Sequence, residues 1–144
     1  MSIRKAIPGL VLSSSEVAAL VADRVRPQRL AEDDVFPAIT YRLIINQHEH
    51  SIDRSSGIGE ATLRLTAWSD RFEQADQLAD LLRDASDDWD DGYAGPDNDF
   101  IECLTLTSDF DEVVAPNADG SDESAYAISS DFEMRYQESH PAGL

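Results

Sequence analysis

Few residues in this chain have the types and spacing that chemistry requires. His48-Glu49-His50 sets two imidazoles two residues apart, which in an extended strand puts both on one side, as a metal pair needs. A third ligand would have to come from Asp53 or His140; without it these are exposed histidines at a hairpin end. The run Asp87, Asp88, Asp90, Asp91, Asp97 and Asp99 offers the oxygen ligands that calcium takes. Aligning Gly92 with the loop glycine of a calcium hand, however, puts Trp89 at a ligand position and Asn98 where a bidentate glutamate belongs. Aligning Gly120 in the second acidic stretch, 109–123, puts Ala115 first. Both stretches read as solvated charge runs. Cys103 has no histidine placed to activate it and reads as a small buried hydrophobe in a strand. Gly57-Ile58-Gly59 continues to Thr62 and precedes a strand, so it lacks the helix N-terminus that cradles a phosphate. No P-loop or GxSxG pattern occurs. With 29 carboxylates, any one pair of them is uninformative. The expectation is a protein without catalytic residues, cofactor or metal.

Charge narrows the partners. Of 144 residues, 29 are acidic and 11 basic, for a net charge of −18. Such a chain repels phosphate backbones, which disfavours conventional nucleic-acid binding. The distribution is lopsided: residues 1–30 carry +3 and residues 31–144 carry −21. That asymmetry suits electrostatic pairing with a partner, and an acidic surface suits a salty medium. No apolar run approaches the ~18 residues of a membrane span. Pro8 and Gly9 interrupt any secretory h-region, so a cytoplasmic product is expected. One cysteine excludes an internal disulfide.

Hydropathy patterning sets out the elements that would carry these groups. The length predicts one domain, residues 1–137, with 138–144 as a loose tail. Ile3–Leu12 is apolar enough for a short helix if Pro8 sits in its first turn. Ser14–Ala22 reads as a helix with Ser13 and Glu16 as a capping box. Arg24–Leu30 reads as an edge strand because of Pro27. The alternations through Ile39–Ile45 and Ala61–Trp68 read as a hairpin around a turn at 51–59. Asp70–Ala85 is an amphipathic helix capped by Asp70, its stripe Phe72, Ala75, Leu78, Ala79 and Leu82. Phe100–Thr107 and Tyr126–Tyr136 complete the strands, with Phe100, Leu104 and Leu106 opposite Ile101 and Cys103. The fold class that follows is α+β: an antiparallel sheet of about four to five strands with helices packed on one face.

A set of ordered motifs carries a resemblance. It comprises the opening Met1–Ile7, Val17–Val21 and Asp23–Pro27; Phe36-Pro37-Ala38-Ile39-Thr40-Tyr41; His50–Asp53, then Ser56-Gly57 leading to Glu60–Arg64; the helix Glu73–Ala79; and the closing strand Tyr126–Tyr136. In order and spacing the chain resembles the tail-completion, or tail-terminator, family of long-tailed bacteriophages and related gene-transfer particles. Pro8-Gly9 and the long acidic loops depart from the pattern. The resemblance implies a structural virion protein, assembled in the host cytoplasm, whose hexameric ring caps the head-proximal end of the tail tube. Its partners would be copies of itself, the tail-tube protein and the head connector, with DNA passing through the lumen without specific binding and no membrane involved. The rival readings are a connector stopper or adaptor at the same junction, or a small acidic metal-binding module. In a ring, the arginines Arg24, Arg26 and Arg29 would face the neighbour's acidic surface, and the loops 87–99 or 109–123 would border the lumen.

Overall fold

A computed structural model describes residues 3–31, 33–50, 55–112 and 125–138. A 3-10 turn, Ile3–Ala6, runs into helix α1 (Ile7–Leu12), with Pro8 in its first turn where no backbone donor is lost. Helix α2 (Ser15–Val21) follows, then strand β1 (Val25–Pro27), the hairpin β2 (Ala38–His50) and β3 (Ser55–Ser69), and helix α3 (Phe72–Asp87). The chain ends with β4 (Gly92–Ala94), β5 (Asp99–Glu112) and β6 (Tyr126–Gln137).

The six strands form one sheet in the order β1-β2-β3-β6-β5-β4. All its pairs are antiparallel except the short parallel pair β1–β2. The helices lie on one face, with α3 against β3, β6 and β5 and α2 against β2. Alternate residues supply the core: Ala61, Leu63, Leu65 and Ala67 on β3, opposite Met134, Phe132, Ser130 and Ile128 on β6. Ala75, Leu78, Ala79 and Leu82 of α3 cover them together with Ile3, Ile7, Leu10, Val17 and Val21.

Several expectations need correction. The sheet has six strands rather than four to five, because Gly92–Ala94 inside the first acidic loop pairs with Asp99–Ile101. Three residues with a glycine among them show no alternation. Residues 109–112 continue β5 instead of opening a connection, since their acidic side chains stand on a strand whose outer side is open to water. A bulge between Ile101 and Cys103 inverts the facing: Ile101 joins Leu104 and Leu106 on the helix side, and Cys103 is exposed, not buried. Gly57 and Gly59 lie within β3 rather than in a turn. Ser14, not Ser13, caps α2, accepting from the Val17 N–H at 3.4 Å, while the Ser13 hydroxyl donates to the Leu10 carbonyl. At α3 the N-cap position is Arg71, not Asp70, with no side-chain cap bond; just before it the Ser69 hydroxyl accepts from the Arg71 N–H and donates to Gln74. Phe72 ends the apolar stripe in the open, edge-on to Tyr126 at 6.0 Å.

Glu138, the last described residue, is buried and its N–H donates to the Gly57 carbonyl. The turn at 51–54, most of the second acidic stretch and the rest of the expected tail lie outside the described residues, as do His140 and Asp53.

Candidate functional site

The face of the sheet without helices carries the ordered polar groups. Residues whose partners across the strands point away from the core meet there: Glu60 beside Arg135, Thr62 beside Glu133, Arg64 beside Asp131, Thr66 beside Ser129. Arg135 stands at the upper end and joins three strands. Its guanidinium donates to Glu60 of β3 at 2.7 Å and to Glu102 of β5 at 3.0 Å, and lies 3.7 Å from Glu49 of β2. The hydrogen bond to Glu60, aided by the charges of Glu102 and Glu49, raises the arginine's already high pKa, so the guanidinium stays charged. Around it a shallow groove of about 330 Å³ is lined by Ile45, Gln47, Thr62, Cys103, Thr105 and Glu133, among others.

Lower on the same face Arg64 grips Asp131 with two parallel bonds of 2.8 and 3.0 Å, and its Cζ lies 4.8 Å from the centre of the Phe110 ring. A buried hydroxyl chain continues the row: Thr66 and Ser129 lie 2.8 Å apart and Ser129 donates to Glu112 at 2.9 Å. The Trp68 indole covers the lower end, its N–H donating to the Thr40 hydroxyl at 2.9 Å. Six carboxylates (Glu49, Glu60, Glu102, Glu112, Asp131, Glu133) share this face with three arginines (Arg42, Arg64, Arg135).

The arrangement supports cohesion and surface charge rather than bond-making. Every glutamate at Arg135 already accepts from the guanidinium or lies beside it. Exposed Cys103 is register partner to Arg135. Among the described residues no group of three His, Cys, Asp or Glu side chains is placed to hold a metal; His48 is exposed near the end of β2. The Asp87–Asp99 stretch folds into the β4 edge, and Trp89 turns back onto its own core, its indole donating to the Ile101 carbonyl.

The N-terminal arginines are largely engaged within the chain. Arg26 holds Asp34 through two bonds of 3.1 Å, and Arg24 donates to the Pro37 and Leu20 carbonyls. Arg24 and Arg26 thus brace the loop before β2. The Arg135 node was not visible from spacing, because its partners lie 33 and 75 residues away along the chain.

Comparison with known proteins gives three findings. Residues 5–112 match the family described as tail completion protein gp17. No curated protein matches the chain. Among solved structures, the chain is similar to one from the virion of a native gene transfer agent particle, with 13% identity and a TM-score of 0.62, covering 94% of this chain and 98% of that one. At that identity the likeness establishes a shared fold.

Proposed function

From a chain that belongs to the tail completion protein gp17 family, structural proteins of the virion tail, we propose a ring subunit that caps the head-proximal end of the tail tube and joins it to the head connector. The observation that carries this reading is the family match, which runs from the first helix through the end of β5. The whole-length fold shared with a chain of a gene transfer agent virion supports it. So does the helix-free face, where side chains clamp one another and present carboxylates, a surface for contact and for excluding phosphate rather than for turnover. The work is done by fit: to further copies of the chain, to tail-tube protein on one side and to the connector on the other.

The decisive experiment adds the purified protein to polymerising tail-tube subunits and, separately, to the head-side connector. A terminator halts tube growth and co-sediments with tube ends. Binding to the connector alone would move the protein to the stopper position at the same junction. A protein that stays monomeric and binds neither would end the proposal.

A further inference from the structure

The two sides of the sheet are left open along most of their length. The short β1 covers only Ile39–Tyr41 of β2, and β4 covers only Asp99–Ile101 of β5. Beyond these, no described strand lies on the outer side of residues 42–50 of β2 or 103–112 of β5. Each open span is about 30 Å long at ~3.3 Å per residue, and a long open edge is a template for another strand. Neither span contains a proline or a lysine, the residues that usually blunt such edges.

We propose that these two edges meet in assembly: β2 of one copy of the chain pairs antiparallel with β5 of the next, continuing one sheet around the ring. The inference rests on the ring reading above and names the surface that closes it.

Three observations point to a second copy as the occupant. First, direction matches. In the order β2-β3-β6-β5 every neighbour is antiparallel, so β2 and β5 run oppositely, and a copy related by rotation alone presents β2 antiparallel to β5. Second, charge is complementary across the two unlike edges. The β5 span carries Asp109, Asp111 and Glu112 and no basic residue; the β2 span carries Arg42 at the end that meets them, and its one acid, Glu49, falls opposite Leu104 and Thr105. Aligning the open β5 and β2 spans along their full length brings Arg42 to Asp111 and Glu112. The same alignment sets exposed Ile44 and Ile45 near exposed Phe110. Third, the stagger suits a closed ring. Within one subunit Asn46, the middle of the β2 span, stands level with Leu104, through Ala61 and Met134, while the middle of the β5 span lies three to four residues further on. Over four strands ~4.8 Å apart, that offset corresponds to a tilt of about 30° to the ring axis, close to the ~35–45° of closed barrels.

With helices outside, the helix-free face becomes the lumen wall. Its excess of carboxylates, rather than the Asp87–Asp99 stretch, then meets passing phosphate.

A charge exchange between edges tests this. One variant carries Arg42→Glu and Ile45→Glu on β2; the other carries Asp109→Arg and Asp111→Arg on β5. All four side chains are exposed and none belongs to the Arg135 or Arg64 clusters. Native mass spectrometry and light scattering read ring mass for wild type, each variant and their mixture. Each variant alone should lose the ring, with neighbour affinity down at least tenfold. The equimolar mixture should regain it, because each altered edge then faces its complement; recovery also demonstrates that both variants fold. Rings that persist in either variant alone, or a mixture of chains with wild-type circular dichroism that fails to recover, would overturn edge pairing while leaving the ring reading intact. A wild-type chain that is monomeric even with tail-tube protein present would overturn the ring reading itself, and the pairing with it.

Discussion

Gly59 offers the sharpest test of how the sheet is held together. Tyr136 on β6 stands directly opposite Gly59 on β3, and its ring lies across the glycine so that its hydroxyl reaches Asn46 of β2. One side chain thus ties three strands at the end of the sheet where the outer edge of β2 is open. A methyl group at residue 59 would fall 2.3 Å from Tyr136 Cζ and 2.4 Å from its hydroxyl oxygen, over an ångström inside ordinary contact. The ring is 1% exposed, so it has nowhere to swing. Gly59→Ala should therefore cost about 2 kcal/mol, the middle of the overpacking range, even after the ~0.5 kcal/mol that alanine gains over glycine in a strand. In a chain of this length that lowers the melting temperature by roughly 5–8 °C. Tyr136→Leu alone should cost about 2–3 kcal/mol through lost packing and the lost bond to Asn46. In the Tyr136→Leu background the clash is gone, so adding Gly59→Ala should be neutral or slightly stabilising, a coupling of about 2 kcal/mol. Thermal or urea unfolding of the four proteins measures the cycle. Equal cost of Gly59→Ala in both backgrounds, within ~0.5 kcal/mol, would refute the account.

Two buried or clamped carboxyls give opposite pH signatures, and one glycine a third test. Burial holds the Glu138 carboxyl above its ordinary value of 4.5, against the opposing charge of His48 and the bond from the Ile3 N–H. Both folded and unfolded chains are protonated well below that value, so stability falls as pH rises from there through the folded value. Glu138→Gln should accordingly match wild type in melts near pH 3.5 and melt higher at pH 7; no gain at pH 7 would contradict it. Asp34 behaves the other way. The Arg26 hydrogen bond, with the Ala31 N–H, holds it below its ordinary 3.8, so its stabilisation is present above that value and lost as pH falls through the folded one. Asp34→Asn should lower the melting temperature at pH 7, and the difference should vanish in strong acid; a pH-independent difference would exclude the ion pair as its source. Gly95 has φ +80°, and a Cβ there would lie 2.5 Å from the Ala6 Cα, so Gly95→Ala should destabilise by at least ~2 kcal/mol in urea unfolding, whereas a neutral result would show that the first turn does not rest on this loop.

The parts of the fold legible in the sequence share a physical feature: one face buried by the chain itself. β6 alternates from Asp131 to Gln137 because Phe132, Met134 and Tyr136 are buried in the core while Asp131, Glu133 and Arg135 stand on the helix-free face. The hairpin and α3 are legible for the same reason. What escaped has a different origin. The bulges beside Ile44, Glu102 and Thr107 break period two without any local signal, and the Arg135 cluster joins residues from four strands. Three further departures fall at the open edges: β4 is hidden in an acidic loop, residues 109–112 of β5 read as a connection, and Cys103 reads as interior. Local pattern reports how a residue faces its own core, and these residues have little core to face. An acidic, intermittently apolar strand such as 103–112 is a poor strand by the standards of a lone subunit. It becomes an ordinary one if a complementary strand lies beside it. The places where the monomer's own physics under-determines the structure are therefore the places where a neighbouring copy has most to supply.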